Sequence, residues 1–133
     1  KVGIVMPDSP GNARRVQHIQ NRFAAEGIFT SYDWTRHGQV FTPEDLARYG
    51  ELEEKGVIDC DLFFMIHPAM NGAHAELGMA RVLGKHIVIL EEVEVPEQKT
   101  FYYRPPGHPR PIHKFKHEDE AIAFSLELLR GKL

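Results

Sequence analysis

Apolar residues follow two rhythms along this chain. Nearly unbroken apolar runs at Lys1–Met6 (KVGIVM), Asp61–Ile66 (DLFFMI) and His86–Leu90 (HIVIL) read as strands covered on both faces of a parallel sheet. Between them the spacing turns helical. Val16, Ile19 and Phe23 recur on one face of a helix that Ser9-Pro10 opens, with Ser as N-cap and Pro at the first helical position, and that Gly27 stops. Ile28–Trp34 reads as a second strand. Thr42-Pro43-Glu44-Asp45 opens a second helix, with a capping-box-like carboxylate, that runs to about Gly56. Gly72–Leu83 is a third helix, closed by Gly84. Glu91–Pro111 carries five prolines and an aromatic cluster, Phe101-Tyr102-Tyr103, and reads as irregular. Ile112–Lys116 is predicted as a last strand and Asp119–Arg130 as a last helix.

Strands alternating with helices imply right-handed βαβ units. The predicted fold is α/β, a doubly wound (Rossmann- or flavodoxin-like) parallel sheet of about five strands with helices on both faces. No repeat or linker divides residues 1–133, so one domain is expected. Ligands of such sheets bind beyond the carboxyl ends of the strands. The loops to inspect are Pro7–Gly11, Trp34–Phe41, His67–Gly72 and the stretch from Glu91 onward.

Composition narrows the function classes. The 133 residues are 42% hydrophobic, enough for a core without staples. A net charge of −3 argues against a nucleic-acid binder, short of a local basic patch. The single cysteine, Cys60, excludes an intramolecular disulfide and reads as a buried thiol. With no signal peptide and no apolar run near the roughly 18 residues that span a bilayer, a cytoplasmic protein without membrane contact is expected. The eight histidines show no metal-ligand spacing, and GxGxxG and P-loop motifs are absent. No metal and no cofactor are therefore expected.

Two carboxylates stand where apolar residues belong. Leu46, Tyr49, Glu53 and Val57 share a face of the second helix. Ala73, Glu76, Ala80 and Leu83 share a face of the third. A buried carboxylate is costly unless it is paired or hydrogen-bonded, and two of them flanking one strand point to a shared polar pocket. The alternative is that both sit at the edge of their stripes and reach solvent. Around Glu76 the context is Asn71-Gly72-Ala73-His74-Ala75-Glu76-Leu77-Gly78. The glycines permit close approach, and the positive end of the helix dipole is expected to favour an ionised Glu76. An ionised carboxylate at the mouth of a sheet suits a nucleophile or an oxocarbenium stabiliser.

The order Asp61-Leu62-Phe63-Phe64, a short loop, Gly72-Ala73-His74-Ala75-Glu76-Leu77-Gly78-Met79-Ala80, then Gly84-Lys85-His86-Ile87-Val88-Ile89-Leu90 resembles the core of the nucleoside 2-deoxyribosyltransferase family, which includes nucleoside 5′-monophosphate N-glycosidases. Tyr32-Asp33-Trp34-Thr35 and Phe101-Tyr102-Tyr103-Arg104-Pro105 also resemble segments of that family, so the likeness extends over most of the chain. The resemblance implies that Glu76 is the nucleophile, attacking the anomeric carbon, displacing the base and forming a covalent glycosyl-enzyme that a second base or water resolves. It implies a helper carboxylate eight residues before Asp61, which is Glu53, where the family typically has Asp. That is the residue the helical stripe singled out.

Two further positions depart from the pattern. The first strand reads Val2-Gly3-Ile4 where the family often has a Tyr, and Met70 stands where transferases tend to have Asp and monophosphate glycosidases Ser, with Asn71 next to it. Transferase and hydrolase both stay open. Ser9, Asn12, Asp61, His67, Asn71, Gly72 and His74 are the candidate substrate-binding residues. Ser9, Gly11 and Asn12 at a helix start, with Arg14 and Arg15, suit an anion such as a 5′-phosphate, or are an ordinary cap with solvated arginines. His67 and His74 flank the site loop, as base or phosphate contacts or as satisfied histidines. Trp34 and Phe101–Tyr103 are candidates to stack on a base, or are core or subunit contacts.

The expected activity is cleavage or transfer of the N-glycosidic bond of a small-molecule nucleoside or nucleotide, with no nucleic-acid or membrane partner. The resemblance also implies a homo-oligomer. The competing readings are a non-catalytic nucleotide-binding or sensor module, and a glycohydrolase of a nicotinamide dinucleotide.

Overall fold

The computed structural model describes residues 1–6, 9–36, 42–68, 71–92 and 112–132. Four parallel strands, β1 (Val2–Val5), β2 (Leu62–Ile66), β3 (His86–Leu90) and β4 (His113–Phe115), form one sheet in the order β1-β2-β3-β4. Val2 pairs with Leu62, Leu62 with His86, and Val88 with His113. The helices are α1 (Pro10–Ala25), α2 (Pro43–Asp59), α3 (Asn71–Val82) and α4 (Glu118–Leu129).

Period-two alternation along the strands sorts the core into two layers. Val2, Ile4, Leu62, Phe64, Ile66, Val88 and Leu90 bury against Val16, Ile19 and Phe23 of α1 and Ala121, Ile122 and Leu126 of α4. Val5, Phe63, Met65, Ile87 and Ile89 bury against Val57 of α2 and Ala73, Leu77 and Ala80 of α3. This is the doubly wound α/β sandwich that the alternating pattern predicts.

Ile28–Trp34 departs from expectation. It contributes one parallel bridge, Thr30 to Val2, on the free edge of β1, and Trp34–Arg36 is a 3₁₀ turn. Side chains pull the segment off the sheet after Thr30. The Ser31 hydroxyl donates to the Gly56 carbonyl of α2 at 2.7 Å. The Asp33 carboxylate accepts the Thr35 backbone N–H at 3.1 Å, and the Trp34 indole donates to the Ile4 carbonyl at 2.8 Å. Trp34 is thereby a buried core residue.

With that bridge on one side of β1 and β2 on the other, the winding reverses between β1 and β2. Their carboxyl ends flank the point where ligands of open α/β sheets bind.

The second helix also differs. It passes through Gly56 to Asp59 instead of stopping at Gly56. That glycine serves packing: a Cβ there would stand 2.7 Å from the Tyr32 Cβ. Among the described residues no helix is long and apolar enough to cross a membrane.

Candidate active site

A narrow cavity opens at the reversal point, lined by Gly3, Ile4 and Val5 of β1, Phe63 of β2, Ser31, Tyr32 and Trp34, Glu53, Gly56 and Val57 of α2, and Glu76 of α3. Its clear space is about 20 Å³, room for roughly one water. Both carboxylates singled out from the helical stripes lie on its wall.

The stripes themselves are placed differently from the prediction. Leu46 and Leu83, expected on the buried faces, are 57% and 47% exposed. Leu46 sits in the first turn of α2, and Leu83 lies one residue past the end of α3. The buried residues of α3 are instead Ala73, Leu77, Gly78 and Ala80. Glu53 and Glu76, both partly buried, meet where α2 packs against α3.

Burial pushes the Glu76 carboxyl up to about 8, and the charge of Glu53 and a carboxyl–carboxyl hydrogen bond with it add to the rise. This corrects the expectation of a carboxylate ionised by the helix dipole. Glu76 lies in the second turn of α3, where the dipole has largely faded, and desolvation and like charge win. The rise favours the protonated form of Glu76, and two carboxyls in such contact titrate as a unit.

The other candidates are distributed around this centre. Ser9 caps α1, its hydroxyl accepting the Asn12 backbone N–H at 3.1 Å. Both residues stand at the carboxyl edge of the sheet, outside the cavity wall. Asp61 is not brought to the site. It is exposed at the amino end of β2, its N–H bonded to the Lys1 carbonyl at 2.8 Å, at the opposite end of the strand from the reversal point.

His67 follows the carboxyl end of β2, but its side chain is fully buried, and Nδ1 lies 2.9 Å from Glu91 Oε1. Lys114 of β4 reaches the other Glu91 oxygen at 3.5 Å. Burial lowers the His67 pKa although Glu91 opposes the shift. The His67–Glu91–Lys114 chain braces the ends of three strands. His74 is partly buried on α3, near enough for its charge to act on His67.

Gly72 is exposed in the first turn of α3, and a Cβ there would meet nothing within 4 Å. Asn71 opens α3, while its side chain, Met70 and Phe101–Tyr103 lie outside what the structure describes. Cys60 is buried as expected, its thiol pushed up to about 11 chiefly by that burial.

Sequence reasoning missed Tyr32 and Gly56 as a pair. The available signal was the position of Gly56, three residues after Glu53 and inside a helix that continues beyond it. A second space, of about 420 Å³, opens on the outer side of the α2–α3 seam, where Ile58, Met79, Val82 and Leu83 line it. It contains none of the candidate residues. Among the described residues no group of three or more His, Cys, Asp or Glu side chains converges to hold a metal.

No protein-family model matches the chain. No curated protein matches it either. Among solved structures, the chain is similar to the CMP N-glycosidase BcmB of Clostridium botulinum, with a TM-score of 0.59 and 18% identity over 96% of this chain and 98% of that one. At that identity the likeness shows a shared fold.

Proposed function

We propose that the protein cleaves the N-glycosidic bond of a nucleoside or nucleoside 5′-monophosphate by double displacement at the Glu53–Glu76 pair. The observation that carries this reading is a pair of carboxyls, Glu53 and Glu76, in contact on the cavity wall at the reversal point of the sheet, with burial and the second carboxyl raising the Glu76 pKa. Such a pair supplies an acid and an anionic nucleophile from one site at one pH. Hydrogen-bonded carboxyls are also too close for the water that an inverting pair holds between them, which requires about 6.5–9.5 Å, and this favours the covalent route. The fold shared with a CMP N-glycosidase supports the substrate class.

With the shared proton on Glu53, a carboxylate oxygen of Glu76 forms a bond to the anomeric carbon, and the bond from that carbon to the base nitrogen breaks. The Glu53 proton passes to the departing base. Water then attacks the anomeric carbon, giving its proton to the Glu53 carboxylate, and the Glu76 ester bond breaks. The products are the free base and the free sugar or sugar phosphate, and the pair again holds one proton. A second base in place of water gives exchange instead of hydrolysis. Ser9 and Asn12 at the start of α1 are the proposed phosphate contacts, and His74 a further substrate contact.

The test is a base-release screen. Purified protein is incubated with each nucleoside, deoxynucleoside and 5′-monophosphate, with and without a second free base, and the products are separated by chromatography. Free base from at least one substrate is expected. Saturable ligand binding without any release over long incubation would reduce the protein to a nucleotide-binding module. Nicotinamide release from a dinucleotide, with no nucleoside turned over, would move it to another substrate class.

A further inference from the structure

On the wall of the same cavity stands a residue that the helical stripes do not mark and to which the family resemblance assigns no role, Tyr32. Tyr32 sits where the chain leaves the sheet edge, and the backbone on either side of it is tied down. Ser31 donates its N–H to the Val2 carbonyl at 3.0 Å and its hydroxyl to the Gly56 carbonyl at 2.7 Å. On the other side Asp33 accepts from Gln20 Nε2 of α1 at 3.1 Å, and Trp34 is anchored to Ile4.

The root of the Tyr32 side chain lies directly on α2, because a Cβ at position 56 would come within 2.7 Å of the Tyr32 Cβ. Backbone lies against side chain there, and any larger residue must displace the tyrosine. Glu53 stands one helical turn before Gly56 and lines the same cavity as Tyr32.

We propose that Tyr32 is a positioning residue for Glu53, seated by Gly56 so that its phenol lies beside that carboxylate and biases which member of the Glu53–Glu76 pair holds the shared proton. The proposal rests on the reading of that pair as acid and nucleophile.

A phenol keeps its proton across the whole carboxylate range and so offers a neutral O–H donor. Burial first, and the charge of Glu53 second, raise the Tyr32 pKa further. The charged and titratable groups around it are Glu53, Tyr49 and Arg48 of α2 and Asp33 of its own segment, with Glu76 of α3 facing Glu53. Asp33 is engaged by Thr35, Gln20 and Arg36 and has its own pKa lowered by them. The strand residues lining the cavity, Gly3, Ile4, Val5 and Phe63, carry no charge. A neutral donor beside Glu53 favours the ionised form of that residue. The resting proton therefore lies on Glu76, and the nucleophile is released when the proton passes to Glu53.

The experiment follows the carboxyl pair directly and needs no turnover. Protein carrying ¹³C at the glutamate carboxyls is titrated by NMR, and Glu53→Gln and Glu76→Gln assign the signals. In Tyr32→Phe, which keeps the ring and removes only the hydroxyl, the lower midpoint of the pair, at which Glu53 ionises, moves to higher pH by about half a unit or more. Gly56→Ala, which displaces the ring, moves it the same way. Base release is measured in parallel. In Tyr32→Phe the acid limb of the pH–rate profile moves to higher pH together with the lower midpoint, with KM little changed.

A titration of Tyr32→Phe superposable on wild type would overturn the proposal, whatever happened to its melting temperature. A shifted midpoint in a protein that releases no base would instead overturn the enzymatic reading and leave the placement of Tyr32 standing.

Discussion

Glu118 and Glu76 are both partly buried glutamates on helices that cover the sheet, and their surroundings are opposite. Glu118 opens α4 and meets Arg22 at 2.6 Å, Arg15 at 2.9 Å and His18 at 3.2 Å. Burial alone would raise its pKa, but the contacts with Arg22, Arg15 and His18 hold it below the usual carboxylate range. Glu91 repeats the pattern with His67 and Lys114. Glu76 is buried against a second carboxylate and is pushed the other way. Glu118 ties α1 to α4 and gains from folding in its charged form, whereas Glu76 loses from folding in that form. Carboxyls held against their own stability are commoner at functional sites than elsewhere, and this contrast is the physical basis for proposing chemistry at the α2–α3 seam.

The contrast can be broken in order of expected effect. Glu53→Gln keeps the volume and removes the proton relay. Its kcat for base release should fall about 10²–10⁴-fold, the range for loss of a positioned acid or base. A Glu53→Gln rate within a few-fold of wild type would assign the acid to another residue.

Stability should respond next, and with opposite signs at the two glutamates. The folded Glu76 pKa of about 8 lies above its ordinary 4.5, so the native state binds this proton more tightly than the unfolded chain. Stability is therefore lost as pH rises from about 4.5 to about 8 and changes no further from this group above that. Glu76→Gln should be more thermostable than wild type at pH 9, with the advantage shrinking toward pH 5. Thermal melts across that range check it, and a variant less stable at both pH values would contradict the assignment.

Glu118 supplies the reverse case. Its folded pKa is depressed, so its stabilisation is complete above the ordinary carboxylate pKa and fades as pH falls through the folded value. Glu118→Gln should cost about 1 kcal/mol at pH 7, the scale of a partly exposed ion pair, and less below pH 4. Denaturant melts at pH 7 and pH 3.5 measure the difference, and base release should be untouched. The smallest effect expected is the shift of the carboxyl midpoint in Tyr32→Phe.

Much of this was legible in the chain. The runs at 61–66 and 86–90 are strands because both faces of a covered sheet demand apolar residues, and the structure has them at Leu62–Ile66 and His86–Leu90. Glu53 and Glu76 stood out because carboxylates interrupted apolar stripes, and the cavity brings them together.

What failed did so for tertiary reasons. Ile28–Trp34 has strand composition, but Ser31, Asp33 and Trp34 each spend a side-chain hydrogen bond that turns the backbone away. Gly56 reads as a helix stop until Tyr32 is placed against it. The ionisation of Glu76 was misjudged because a dipole can be read from sequence, whereas desolvation by a partner helix cannot.

The most direct test of the central claim compares wild type with Glu76→Ala in base release from the best substrate of the screen, with both proteins shown to be folded by circular dichroism and thermal melting. The account predicts that the wild type releases base and that Glu76→Ala retains less than about one part in 10³ of that rate, the order of loss seen when a nucleophile is removed. Wild-type-like release by a folded Glu76→Ala would contradict it.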